Sequence, residues 1–136
     1  MNKVLIVEDN ADFRQILCTA LNKKIPDITL YEVSNGLEAI QKFDDLSPDI
    51  VLMDIALPVM NGLEAIKILK RTENPSWIVI ITGNDIPEYV EAAKKSGADY
   101  FLSKNSIKLA EIISLVIDLL NCDDILSQKW ERFRIL

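Results

Sequence analysis

Five times along this chain a short aliphatic run gives way to a longer amphipathic stretch, and no other feature constrains the fold as tightly. The runs at 4–7, 29–33, 50–53, 78–82 and 100–102 predict strands. The first, third and fourth are apolar nearly throughout, as strands covered on both faces must be, whereas the second is mixed and belongs nearer an edge. Between them, Phe13, Ile16, Leu17, Ala20 and Leu21 recur at helical spacing, as do Leu109, Ile112, Ile113, Val116, Ile117 and Leu120. Stretches 37–46, 63–71 and 87–96 predict three more helices, punctuated by Pro48, Pro58, Pro75 and Pro87 and by Gly36, Gly62 and Gly97. The fourth helix has a thin apolar face of Ile86, Val90 and Ala93, so it should grip the sheet least.

Strands that alternate with helices form a parallel sheet through right-handed crossovers, with helices on both faces: an α/β, doubly wound, five-stranded architecture. At 136 residues the chain suits one such domain. Residues 121–136 lie beyond the fifth unit and carry Leu126, Trp130 and Phe133 at i, i+4 and i+7, which suits a short extra helix or the start of a linker. Composition then removes function classes. With no histidine, the chain alone builds neither a Ser-His or Cys-His nucleophile nor an imidazole metal site. Cys18 and Cys122 sit in apolar helical patterns, where buried free thiols in a reducing cytosol are expected. A net charge of −6 disfavours direct contact with nucleic acid. The short apolar run after Met1 is no secretion signal, and no stretch approaches a membrane span, so a cytoplasmic location is expected.

In a doubly wound sheet ligands collect outside the carboxyl ends of the strands, so the residues that end the strands matter most. Glu8 and Asp9 follow the first strand, Asp54 the third, Thr82 ends the fourth, and Lys104 follows the fifth. Taken singly each has an ordinary explanation. Asp54 suits a turn, Glu8 and Asp9 suit the cap of the first helix, Thr82 is a good strand former, and Lys104 suits a solvated surface. Taken together, three carboxylates at one rim need a compensating cation, and an all-oxygen donor set favours Mg²⁺. A divalent ion, a lysine and a hydroxyl describe a place for a phosphoryl group.

The segments Leu5-Ile6-Val7-Glu8-Asp9, Met53-Asp54 through Asn61-Gly62, Thr82-Gly83 and Gly97-Ala98-Asp99-Tyr100-Phe101-Leu102-Ser103-Lys104, in this order and spacing, resemble the receiver domain of two-component response regulators. The resemblance covers about residues 3–120, which makes 1–120 the receiver domain and 121–136 an extension. It implies a flavodoxin-like (βα)₅ fold with strand order 2-1-3-4-5. Asp54 would take a phosphoryl group from a histidine kinase or histidine phosphotransfer protein. Glu8, Asp9, Asp54 and the backbone carbonyl of Ala56 would hold Mg²⁺, and Thr82 and Lys104 would meet the phosphoryl oxygens. Gly83 leaves the approach to Asp54 open. Output would pass through the surface of helix four, strand five and helix five, to a partner or a homodimer. The domain would be a switch that catalyses only its own phosphorylation and dephosphorylation, with no contact to membrane.

Two positions depart from the common pattern. In the family an aromatic residue three before the lysine rotates inward when the hydroxyl residue moves toward the phosphate; here it is Phe101, which has no hydroxyl to keep wet and is expected to favour the inward position even without phosphate. Asn105 stands where many members have a proline on a cis bond. The cis form costs about 2.5–4 kcal/mol outside X-Pro, so the loop is expected either to differ locally or to retain that strain. The Ser103-Lys104-Asn105-Ser106 wording is similar to the branch with helix-turn-helix output domains. Two other readings stand beside this one. A haloacid-dehalogenase-type phosphohydrolase shares the aspartate, Mg²⁺ and lysine, but needs an acid two residues after its nucleophile, where Ala56 stands. The other is a receiver-like interaction domain that is never phosphorylated.

Overall fold

A computed structural model describes residues 2–121 and 130–135. In chain order it comprises β1 (Lys3–Val7), α1 (Ala11–Lys24), β2 (Thr29–Val33), α2 (Gly36–Leu46), β3 (Ile50–Met53), α3 (Gly62–Leu69), β4 (Trp77–Thr82), α4 (Pro87–Ser96), β5 (Tyr100–Ser103) and α5 (Leu109–Asn121). The five strands form one parallel sheet in the order β2-β1-β3-β4-β5, the flavodoxin-like order that the family resemblance implies. The mixed strand β2 lies at an edge.

Side chains alternate across a strand, so each buried strand feeds two cores. Val4 and Ile6 face a cluster built with Leu17, Leu21, Ile112, Val116 and Leu119 from α1 and α5. Leu5 and Val7 face the opposite cluster, with Phe43, Ala65, Ile66 and Ala93 from α2, α3 and α4. Burial on both faces is why β1, β3 and β4 read as continuous apolar runs.

Three helices that follow strands on the functional rim start in the same way. Asn10, Asn35 and Asn61 each accept a hydrogen bond from an N–H in the first turn, that of Phe13, Glu38 and Glu64 respectively, which satisfies a donor the helix itself leaves open. Helix α4 differs: its N-cap is Ile86, which offers no side-chain acceptor. Of its ten residues only Ala93 and Ser96 are buried, in keeping with its thin apolar face. Helix α3 stops at Leu69, two residues short of the expected end, and passes into a turn at Lys70.

Residues 130–135 run back along the free edge of β5. Glu131–Phe133 form a single 3₁₀ turn, Arg134 bridges Tyr100 in antiparallel fashion, and the Ile135 N–H donates to the Asp99 carbonyl at 3.1 Å. Trp130 is buried and its Nε1 donates to Asp118 Oδ2 at 2.8 Å. The segment thus covers backbone groups that an edge strand would otherwise present. Cys122 and Leu126 lie outside the described residues. Cys18 is buried and free, as expected. No helix among the described residues is long and apolar enough to cross a membrane.

Candidate functional site

Parallel pairing fixes which residues meet at the carboxyl rim. Val7 stands level with Met53, Met53 with Ile80, and Thr82 with Ser103. The residues one step further along are therefore Glu8, Asp54 and Lys104, with Thr82 between the last two. Backbone hydrogen bonds carry the sheet just past the strands: Glu8 N–H donates to the Val33 carbonyl at 3.1 Å, Asp54 N–H to Val7 at 3.1 Å, and Lys104 N–H to Thr82 at 2.8 Å. The side chains start from a rigid frame.

Lys104 joins the two buried acids. Its Nζ lies 2.8 Å from Glu8 Oε1 and 3.1 Å from Asp54 Oδ2, and 4.4 Å from the centre of the Phe13 ring. Glu8 is 4% exposed, Asp54 7% and Thr82 0%, so the two carboxylates act with little screening by water. Burial pushes the Glu8 carboxyl above its usual range and is joined by the Asp54 charge; the hydrogen bonds from Lys104 and from the Asn10 N–H do not fully offset it. Burial pulls the Lys104 amine down, but the hydrogen bond to Glu8 and the charges of Asp54 and Glu8 outweigh it and leave the group above its ordinary value. Lys104 is therefore an ammonium ion at neutral pH.

The remaining residues shape access. The Ala56 N–H donates to Asp54 Oδ1 at 3.3 Å, and the Asn84 N–H donates to Thr82 Oγ1 at 3.2 Å. A hydroxyl that accepts there keeps its own hydrogen to donate elsewhere. Gly62 has to be glycine for a local reason, because a Cβ at that position would lie 2.1 Å from the Asp54 carbonyl oxygen, so the start of α3 packs directly on the backbone of Asp54. Gly83 is the reverse case: a Cβ there would meet nothing within 4 Å, which leaves the rim beside Thr82 open.

Of the residues singled out from the sequence, Lys104 is in contact with both Glu8 and Asp54, and the Lys104 N–H donates to the Thr82 carbonyl. Phe101 is buried, at 8% exposure, in the cluster that α4 joins. Asp9 is exposed, and among the described residues no group of three carboxylates or thiols converges as an ion-binding cluster. The gathering of Glu8, Asp9 and Asp54 expected from the sequence is thus incomplete: the Lys104 ammonium supplies the positive charge between Glu8 and Asp54, and Asp9 stays in water. The peptide bond before Asn105 is trans, so the loop differs locally and no cis strain is present.

The family signature described as the response regulator receiver domain matches residues 4–117. The chain belongs to this family. The receiver is 37% identical over 102 residues to the chemotaxis protein CheY of Thermotoga maritima, across 75% of this chain and 84% of CheY. It is 36% identical over 106 residues to the transcriptional regulatory protein YdfI of Bacillus subtilis, across 78% of this chain and half of YdfI. Among solved structures, a two-component response regulator from Clostridium difficile superposes with a TM-score of 0.79 at 27% identity, across 90% of this chain and 98% of that one. Receiver domains are signalling switches of two-component systems, and this chain carries their fold.

Sequence reasoning missed several residues that shape the receiver's rim. Phe13 was legible only as a core residue of α1, yet its ring also faces the Lys104 ammonium. Arg14 Nη1 donates to the Glu8 carbonyl at 2.7 Å and its Nε to Glu32 at 3.1 Å, which braces the loop after β1. Asp85, Ser103 and Asn105 form a hydrogen-bonded cluster between two rim loops. The unusual Asn105 was the one available signal for that cluster.

Proposed function

We propose that Asp54 is the phosphoacceptor of a response regulator and that its modification switches the α4-β5-α5 surface. The observation that carries this reading is the bridge Glu8–Lys104–Asp54, built from the ends of three strands, with the buried Thr82 hydroxyl next to Lys104 in the ladder. An oxygen of Asp54 attacks the phosphorus of a phosphohistidine on a histidine kinase or phosphotransfer protein. The phosphorus–nitrogen bond breaks and the protonated imidazole leaves. The new acyl phosphate brings further negative charge to a rim that already holds Glu8. The Lys104 ammonium follows it, and the Thr82 hydroxyl donates to a phosphoryl oxygen.

The donor set supports a divalent ion. Glu8 and Asp54 are two buried carboxylates that share one ammonium, and a third carboxylate, the exposed Asp9, stands next in sequence, so Asp9 would have to be drawn inward. Glu8, Asp9, Asp54 and the Ala56 carbonyl would hold Mg²⁺, whose chemistry there is to neutralise charge on the phosphoryl oxygens.

A turnover phosphohydrolase is disfavoured by Ala56, which offers only a backbone N–H to Asp54 where a general acid would be needed. The name of YdfI, a transcriptional regulatory protein of which this chain spans half, favours transcriptional output through further chain, with a homodimer of the switched surface as one route. Incubation with acetyl phosphate and Mg²⁺ followed by intact-mass measurement tests the reading. One added phosphoryl group, absent in Asp54→Ala and without Mg²⁺, is expected; steady release of inorganic phosphate at enzyme-like rates would instead favour the hydrolase.

A further inference from the structure

Thr82 and Lys104 belong to neighbouring strands, and the bond from Lys104 N–H to the Thr82 carbonyl, at 2.8 Å, is the last step of the β4-β5 ladder. Beyond it the two loops are joined by side chains. Asp85 Oδ2, in the loop before α4, accepts from Ser103 Oγ at 2.7 Å and from Asn105 Nδ2 at 3.1 Å. Asn105 Nδ2 also reaches the Gly83 carbonyl at 3.1 Å, and the Asn105 N–H donates to Ser103 Oγ at 3.1 Å. Lys104 is therefore bracketed on both sides by residues that one carboxylate holds, and that carboxylate sits three residues after Thr82. Acceptance of two hydrogen bonds keeps the Asp85 carboxyl below its usual range, so it is ionised at neutral pH and its bonds are charge-assisted.

The Lys104 side chain is long and flexible, and its ammonium has to meet the same phosphoryl group as the Thr82 hydroxyl. A tie between the two loops fixes the starting point of both. We infer that Asp85 is a positioning residue for phosphoryl transfer, which through Ser103 and Asn105 holds Lys104 in register with Thr82. This rests on the reading of Asp54 as phosphoacceptor. A proline at 105 would offer neither the N–H nor the amide, so in this chain Asn105 ties the loop by bonds that a ring could not make.

Two measurements on the full chain test the clamp. In the unphosphorylated protein, amide hydrogen exchange at Asn105 should quicken about tenfold in Asp85→Ala, because the loop opens once its anchor is lost. With acetyl phosphate and Mg²⁺, the rate of Asp54 phosphorylation should fall about three- to tenfold in Asp85→Ala and in Asn105→Ala, the size expected for lost orientation through one or two hydrogen bonds. The double variant should be no slower than the slower single one, and Asp85→Asn, whose amide oxygen still accepts, should recover most of the rate while the urea unfolding midpoint stays put. Unchanged exchange at Asn105 overturns the clamp whatever the chemistry does. Wild-type rates in Asp85→Ala, additive losses in the double variant, or a rate loss that follows the unfolding midpoint also overturn it. A wild-type protein that takes no phosphoryl group overturns instead the reading of Asp54, and with it any part Asp85 plays in transfer.

Discussion

Helices α4 and α5 flank the same edge of the sheet, yet they are held in different ways. Helix α5 buries Ile112, Ile113, Leu115, Val116 and Leu119 against strands and α1. Helix α4 buries only Ala93 and Ser96, leaves Ile86 and Tyr89 exposed, and begins at a residue that cannot cap it. Burial of aliphatic side chains is the main stabilising term in such a layer, so α5 is fixed to the sheet while α4 is cheap to move. Helix α4 is also the element that follows Thr82 and Asp85, and its Val90 packs in the cluster that holds Phe101. On the proposed reading of Asp54 as phosphoacceptor, a signal from it meets a loosely held helix on one side and a firmly packed one on the other. Conformational change is expected to run through α4.

The largest effect that would sharpen this contrast is in the core of α5. Leu115 is 1% exposed, and Leu115→Ala should destabilise the fold by about 2–5 kcal/mol in urea unfolding, whereas Val90→Ala in α4, only half-buried, should cost well under half of that. Equal losses would break the comparison.

The α1-α5 side should also be hard for water and reagents to enter. Burial, with the neighbouring Glu32 charge, pushes the Cys18 thiol up to about 11. Relative to an ordinary thiol near 9.0 this leaves about a hundredfold less thiolate at pH 8. Alkylation of Cys18, followed by peptide mapping so that Cys122 is counted separately, should be at least that much slower than for a model thiol and should rise about tenfold per pH unit until about pH 11. Because the folded-state value is the raised one, the stability this thiol contributes is complete below pH 9.0 and declines as pH climbs towards about 11. Rapid labelling at neutral pH would show a looser α1-α5 layer than the packing implies.

A smaller effect is expected at the start of α4. Ile86→Asn supplies the side-chain acceptor that Asn10, Asn35 and Asn61 give the other helices, and should stabilise by about 1 kcal/mol and slow amide exchange in the first turn of α4. Exchange in α5 should not respond. If α4 amides in the unmodified protein already exchange as slowly as those of α5, the difference between the two helices is not one of stability.

The strands and the five helices were legible because their apolar residues repeat with a period that survives in one dimension: Val4 to Val7 and Ile50 to Met53 as unbroken runs, and Leu109 to Leu120 at helical spacing. The rim followed from topology, since a parallel sheet puts the residues after β1, β3 and β5 on one side whatever their side chains do. The positions of those side chains were not legible. Asp9 and Glu8 are neighbours in sequence, but Asp9 is exposed while Glu8 is buried and paired with Lys104. The pairing of Asp85 with Ser103 and Asn105, and of Arg134 with Tyr100, joins positions far apart in the chain through polar groups that leave no periodic trace.

An acyl phosphate is reduced by borohydride to the alcohol, which turns a phosphorylated aspartate into homoserine. The chain should therefore be incubated with acetyl phosphate and Mg²⁺, quenched, reduced and digested, and the peptide that spans Met53 to Asn61 sequenced by mass. Homoserine at residue 54, lost when either Mg²⁺ or the phosphoryl donor is left out, is the predicted result. Homoserine at another aspartate, or none at all in a protein shown to be folded, would contradict Asp54 as the phosphoacceptor.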